Sequence, residues 1–361
     1  MSNAADGMNY APESPPAPVV KPGEFCFAAV ALNHGHIYGM CNGLIGAGAT
    51  LKSVYDPDPA KVADFCKKFP DVKPAASEEE ILNDPEIKLV AAADITSKRA
   101  ALGIRVMKAG KDYFTDKAPL TTLEQLEAAK KVVAETGRKY GVYYSERLHV
   151  ESAVFAGQLI EQGVIGKVIQ VIGMGPHRLT PSRRPEWFFQ KEYYGGILCD
   201  IGSHQIEQQL FYTGAKDAKI LSSQYGNFAH PEYPELDDFG DAHLLMDNGS
   251  TGYFRIDWFT PDGLQTWGDG RMFILGTKGY IEQRKYMNFG TNDGPGHLFL
   301  ATDKEETHYQ VKGKIGFPFF GQFVLDCINR TENAMTQEHA FKAAELCVRA
   351  QMQAVKIAPQ D

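Results

Sequence analysis

Asp200 and His204 stand four residues apart in GGILCDIGSH (195–204). On a helix this spacing sets a carboxylate and an imidazole on one face, one turn apart. An imidazole with an ordinary pKa of about 6.5 can take a proton from a hydroxyl at neutral pH, and a carboxylate beside it steadies the imidazolium that forms. Lys117, in FTDKAPLTT (114–122), follows an apolar run. An ammonium there can hold an oxygen that gains negative charge. A third cluster, ALNHGHIYG (31–39), lies where a first strand would turn into a first helix, with Asn33, Gly35 and Tyr38 in the places of a GxGxxG phosphate turn. Asparagine tolerates left-handed backbone, glycine lets phosphates approach, and Tyr38 departs from the pattern. Asp56 ends the next apolar run, where a carboxylate accepts a ribose 2′-hydroxyl and repels a 2′-phosphate. With Pro-Asp-Pro after it, a helix N-cap is the lesser alternative for Asp56.

These residues need elements to hold them. FCFAAVAL (25–32), TLKSVYD (50–56), KLVAAA (88–93), KDYFTD (111–116) and GVYYSE (141–146) read as buried strands. Between them run helical patterns such as PDPAKVADFCKKF and TTLEQLEAAKKVVAETG (121–137). That alternation predicts a doubly wound parallel sheet, with Lys117 at its carboxyl edge where ligands bind. After residue 150 the pattern changes. KVIQVIGM (167–174) reads as a strand, and Asn248-Gly249 and Thr277-Lys278-Gly279 mark hairpins, the first of type I′. HAFKAAELCVRAQMQAVKIA (339–358) reads as one amphipathic helix. The fold class expected is α/β: an N-terminal Rossmann sheet over 24–148, then an α+β domain over 149–361 with a large, mostly antiparallel open sheet. The proline-rich residues 1–23 read as a disordered tail.

The 361 residues carry a net charge of -8, which disfavours nucleic-acid or anionic-membrane partners. The six cysteines contain no CxxC pair, so structural zinc is not expected and free thiols in a cytoplasmic protein are. Just upstream of the Asp200 segment, HRLTPSRRPEWFFQKEYYGG offers His177, Arg178, Trp187 and Tyr194 as sugar-stacking or hydroxyl-binding groups, or equally as a packed aromatic loop. Asp200 and His204 with His177 could alternatively ligate zinc or manganese.

The chain resembles the Gfo/Idh/MocA oxidoreductases over roughly residues 24–355. GHI (35–37), DPDP (56–59) and Asp116-Lys117-Ala118, in place of the family's EKP, carry the resemblance. So does the pattern GGGxxxDxGxH, met at Gly195, Gly196, Asp200, Gly202 and His204. Asn33 for the first glycine, Asp94-Ile95 for the usual Thr-Pro, Pro119 one place late and SERLH (145–149) without its asparagine depart from it. The resemblance implies hydride transfer between NAD, less often NADP, and a hydroxyl carbon of a sugar, cyclitol or related polyol. Lys117, Asp200 and His204 would be catalytic. Asn33, Gly35, His36, Ile37, Asp56, Asp94, Asp116, Lys117 and Arg147 would contact cofactor, with no resident metal. It also implies a homodimer or homotetramer through the C-terminal sheet. The competing readings are a redox-neutral, NAD-assisted lyase or hydrolase of glycosides and a non-enzymatic sensor.

Overall fold

The computed structural model describes residues 7–358. In chain order the first half comprises β1 (Cys26–Val30), α1 (His36–Gly46), β2 (Thr50–Tyr55), α2 (Pro59–Lys68), β3 (Lys73–Pro74), α3 (Glu78–Asn83), β4 (Ile87–Ala92), α4 (Arg99–Lys108), β5 (Asp112–Asp116), α5 (Leu123–Thr136) and β6 (Tyr140–Tyr143). There follow α6 (Ser145–Leu148), α7 (Glu151–Glu161), β7 (Val168–Pro176), α8 (Lys191–Tyr194), α9 (Ile197–Asp200), α10 (Gly202–Thr213), β8 (Ala218–Gly226), β9 (Phe239–Met246) and β10 (Thr251–Asp257). β11 (Arg271–Gly276), β12 (Gly279–Arg284), β13 (His297–Thr302), β14 (Glu306–Gln310), α11 (Pro318–Asn329), α12 (Gln337–Gln353) and β15 (Val355–Ile357) complete the chain.

The six N-terminal strands pair in parallel in the order β3-β2-β1-β4-β5-β6. The order reverses between β1 and β4, which opens the ligand crevice of a Rossmann sheet outside their carboxyl ends. β1 and β5 are buried along their whole length, as central strands covered on both faces must be. Asp58, and not Asp56, caps α2 by accepting from the Ala60 N–H, with Pro59 at the first turn.

This unit comprises residues 8–143 together with 317–341, so the boundary expected at 148/149 is corrected. α11 returns to the Rossmann sheet because its aromatic face has a partner there. The Phe323 ring lies 5.0 Å from that of Phe114, Phe320 fills the space left by Gly43, and Arg330 pairs with Asp112 at 2.6 Å. Residues 8–23, expected as part of a disordered tail, are a strap on α1. Ala17 and Val19 donate to the carbonyls of Gly46 and Ala47, and Asn42 donates to that of Pro12. Gly39 and Gly46 have no side chain to hold the strap away, which composition could not show. Residues 1–6 lie outside the described residues.

The second unit, 144–316 with 342–358, holds nine strands in the order β14-β13-β12-β11-β7-β10-β9-β8-β15. All pairs are antiparallel except β7 with β10 and β15 with β8. Residues 355–357, expected in the last helix, form the parallel edge strand β15 instead. The 248–249 hairpin is present, but Gly249 alone takes positive φ and Gly249 N–H bonds the Met246 carbonyl. That is a type I turn closed by a left-handed glycine, not type I′. Met272, Ile274, Ile281, Leu298 and Leu300 build the core on one face of the sheet. α10 packs on β7, where Gly173 and Gly175 make room for Gln205, and Gly252 of β10 makes room for Gln209.

Candidate active site

In the Rossmann unit the candidate residues gather at the carboxyl ends of β1, β4 and β5. Past β1 the backbone turns at Ala31, whose φ is 52°, so the left-handed position expected at Asn33 lies two residues earlier. Asn33 works through its amide: Nδ2 donates to Asp94 Oδ1 at 2.7 Å, and Oδ1 accepts from Lys61 at 2.5 Å. Gly35 is helical, and a Cβ there would strike the Met8 carbonyl oxygen. The glycine therefore serves close approach of an oxygen atom. Ile37 is buried in the first turn of α1, and Tyr38, displaced from the packing position, stacks on Phe65 and Phe69 while Gly39 makes the close contact. Asp56 is buried, accepting from the N–H groups of Leu32 (2.7 Å) and Asp58 (2.9 Å). A carboxylate so held keeps lone pairs for a ribose hydroxyl.

Asp116 is the hub of this cluster. His36 Nδ1 donates to its Oδ1 at 2.9 Å, Lys117 N–H donates to the same oxygen at 2.8 Å, and Arg99 donates to Oδ2 at 3.2 Å. Burial alone would push this carboxyl up. The charges of His36 and Arg99 overcome it and hold Asp116 well below the usual carboxylate range. Arg99, fully buried, also donates to the carbonyls of Asp94, Lys117 and Ala118, so one guanidinium ties the ends of β4 and β5 together. The Lys117–Ala118 peptide is cis. Burial and the neighbouring His36 lower the pKa of His34, which keeps its ring neutral. His34, His36 and Asp116 have the spacing of a metal-ligand group. Their donor atoms are engaged with one another, however: His34 Nδ1 accepts from the His36 N–H, and both Asp116 oxygens have donors.

In the second unit α9 and α10 run on through Ile201, which is itself helical, so Asp200 and His204 lie one turn apart as expected. Gly195 and Gly196 take φ of 86° and 92°, and the second leaves space for Gln351. Gln351 accepts from the Leu198 N–H, and Asp237 accepts from that of Ile197, which anchors the start of the helix. His204, Gln205, Glu207, Gln208 and Gln209 are all buried, an unusually polar interior face.

Against that face stands Glu146 of α6. Its Oε2 accepts from Lys285 Nζ at 2.8 Å and from Gln205 at 3.3 Å, while Oε1 lies 3.8 Å from His177 Nε2. Burial opposes the charge on Glu146, but Lys285, His204 and His177 outweigh it and hold the carboxyl well below its ordinary range. His177 is boxed by Trp267 and Trp258, with ring centroids at 4.5 and 5.4 Å.

Two of the residues expected at the substrate have partners within the protein. Arg178 is buried and donates to the carbonyls of Pro261 and Leu264, which pins that loop. Tyr194 is buried, its hydroxyl donating to the Glu235 carbonyl and accepting from the Asp237 N–H. Trp187 is half-buried beside Phe188, and His177 does join the cluster. Arg147, expected at the cofactor, turns into its own unit, where it pairs with Glu207 and lies 4.0 Å over the Phe211 ring. Among the described residues, Asp200, His204 and His177 do not converge as a metal-ligand group. Arg99, Glu146 and Lys285 escaped the sequence reading, since each meets its partner only through the fold, Glu146 and Lys285 across 139 residues.

The parallel order 3-2-1-4-5-6 is that of a Rossmann sheet, the class of fold that binds dinucleotides at its carboxyl edge. Residues 33–144 match the oxidoreductase family with an NAD-binding Rossmann fold, and residues 154–282 match the GFO/IDH/MocA C-terminal domain. The chain belongs to the Gfo/Idh/MocA family of oxidoreductases. A solved structure from Erwinia carotovora atroseptica is 54% identical, with a TM-score of 0.90 over 93% of this chain and 100% of that one. The D-xylose dehydrogenase of Paenarthrobacter nicotinovorans is 27% identical over 56% of this chain and 52% of its own length. The NAD(+) scyllo-inositol 2-dehydrogenase of Bacillus subtilis is 27% identical over 65% of this chain and 66% of its own. The chain thus matches about half to two thirds of these curated relatives. A levoglucosan dehydrogenase in complex with NADH shares the fold, with a TM-score of 0.72 at 17% identity over 91% of this chain and 97% of its own. Among the described residues no helix is long and apolar enough to cross a membrane.

Proposed function

We propose that the chain oxidises a secondary hydroxyl carbon of a sugar, cyclitol or related polyol, using NAD. The observation that carries the reading is the buried imidazole of His204 on α10, in a unit where Glu146 and His177 supply a charge partner and a second imidazole. The naming of relatives as xylose, inositol and levoglucosan dehydrogenases supports the substrate class. When bound, NAD supplies the hydride acceptor. Gly35, His36 and Ile37 would hold its phosphates, and Asp56 a ribose hydroxyl. The strap supports the fit, for the space beside Gly35 already admits one oxygen, the Met8 carbonyl. Asn33, Asp94, Asp116 and Lys117 would shape the rest of the edge.

In this division of labour His204 takes the hydroxyl proton, Lys117 steadies the oxygen as its negative charge grows, and Asp200 contacts the hydroxyl or orients the imidazole. Trp187 and His177 would face the ring of the substrate. NAD is favoured over NADP because the Asp56 carboxylate repels a 2′-phosphate, and the ammonium of Lys61, 4.0 Å away, is already drawn to Asn33. We further propose a homo-oligomer through the outer face of the nine-stranded sheet, where Leu245, Tyr253, Phe273, Leu275 and Tyr280 are exposed.

The test is denaturing release of nucleotide from purified protein, then a panel of sugars, inositols and polyols read at the NADH absorbance. NAD-dependent oxidation of at least one member is expected. Failure to bind either nicotinamide nucleotide would overturn the reading.

A further inference from the structure

We infer that Glu146 is the positioning residue that sets the charge and orientation of the His177 and His204 imidazoles, a role the spacing alone gives to Asp200. The inference deepens the dehydrogenase reading and rests on it for the part His204 plays.

Three observations carry it. First, Glu146 is 2% exposed, and its Oε1 has no hydrogen-bond partner, although buried carboxylate oxygens nearly always have one. That oxygen is the one turned to His177 Nε2, 3.8 Å away. Second, Lys285 and Gln205 both bind the other oxygen. The ion pair is therefore oriented, its cation on one side and its open, negative oxygen toward the imidazole. Third, the Nδ1 of His177 meets the Gly175 carbonyl at 3.1 Å, so Nδ1 carries the hydrogen. Nε2 then faces Glu146 either as a lone pair, which the carboxylate repels, or as the N–H of an imidazolium, which it attracts. The His204 charge acts on the same carboxyl.

The groups facing Glu146 are Lys285 at the end of β12, His177 after β7, and His204 with neutral Gln205 on α10. One anion among them, already matched by one lysine, leaves room for a single added proton. When the substrate hydroxyl releases its proton to His204, the O–H bond breaks, an N–H bond forms, and the new positive charge lies in the field of the open carboxylate oxygen. The same field favours an N–H over a lone pair at His177 Nε2.

The sign of the test follows from the charges. Glu146→Gln keeps the size and an acceptor for Lys285 but removes the anion, so the imidazole pKa values fall. Lys285→Met leaves the anion unmatched, so they rise. A structural role would move both variants in the same direction, or neither. Histidine titrations by NMR on the full chain, with His177→Gln and His204→Gln for assignment, read this without any turnover. The expected result is a shift of about one pH unit or more downward in Glu146→Gln and upward in Lys285→Met for at least one of the two histidines. The acidic limb of kcat on a polyol substrate should move in the same two directions, with KM for NAD unchanged. Unshifted histidines in both variants, or shifts of one sign, overturn the inference. If Glu146→Gln does not fold, the upward shift in Lys285→Met still decides it. A parent that oxidises no polyol but shows the two opposed shifts would refute the dehydrogenase reading and leave the Glu146 assignment standing.

Discussion

Replacing Asp116 with Asn should destabilise the Rossmann unit and displace Lys117 together. Asn is nearly isosteric, so the cost comes from charge and hydrogen-bond polarity and not from a cavity. Its amide oxygen can still accept from the Lys117 N–H and His36, but its NH2 would then point at the Arg99 guanidinium, donor against donor. Arg99 becomes a buried cation with no anion, which typically costs about 3–5 kcal/mol. Its bonds to the carbonyls of Asp94, Lys117 and Ala118 remain and cushion part of the loss, so the low end, about 3 kcal/mol, is expected. A unit of this size loses about 2–4 °C of Tm per kcal/mol, so the Rossmann transition should fall by about 6–12 °C in a thermal melt at pH 7.5. The pH dependence supplies a second check. The folded pKa of Asp116 is depressed, so its stabilisation is fully present above the unfolded value of about 3.9 and is lost as pH falls through the folded one. The gap between parent and variant should hold steady from pH 8 to about 5 and narrow only below about pH 4. A loss under about 2 °C, or a gap that closes near pH 6, would refute the reasoning and point to His36 as the group that matters.

Three further outcomes follow from the same geometry. His204→Ala and Lys117→Ala should each lower kcat on a polyol by about 100-fold or more, with nucleotide release from the His204 variant unchanged, and full turnover in either would remove that residue from the chemistry. Deleting residues 1–10 takes the Met8 carbonyl away from Gly35, so NAD should associate several-fold faster in stopped-flow fluorescence, and an unchanged rate would show that the strap is no obstacle. Phe273→Glu with Tyr253→Arg on the outer sheet face should shift the chain to a monomer in light scattering while the melt stays cooperative, and a persistent oligomer would place the contact elsewhere.

What the sequence made legible was what lies close together along it. Gly35, Lys117, Asp200 and His204 belong to short segments whose glycines, acids and apolar runs fix a strand-to-turn or turn-to-helix geometry within ten residues. Arg99 and Glu146 act on partners brought to them by the sheet, and Glu146 meets Lys285 across 139 residues. No local pattern marks such a pair. Arg178 and Tyr194 are ambiguous for the opposite reason, since types suited to binding a sugar serve equally well to satisfy buried carbonyls, as both do here. β15 was hidden because VKI continues the apolar rhythm of the helix before it, and only the free edge of β8 makes it a strand. The strap was misread because proline-rich chain lacks a core of its own, yet α1 offers it a row of side-chain-free positions at Gly35, Gly39 and Gly46.

The two units solve one problem in parallel. Each buries a carboxylate, Asp116 in one and Glu146 in the other, and each pairs it with a buried cation, Arg99 or Lys285, and with neighbouring imidazoles. Such pairs rarely stabilise a fold more than well-packed apolar groups of the same volume would. Their use lies in what the charge holds. The Asp116 pair fixes the backbone on both sides of Lys117, through the Lys117 N–H on one oxygen and the Arg99 bonds to the next two carbonyls. The Glu146 pair keeps one oxygen open toward an imidazole. Each pair thus bears on a neighbour that the proposed reaction would use, the backbone around Lys117 in one unit and the His177 imidazole in the other, so the costliest polar atoms of each unit are also the ones that prepare a neighbour.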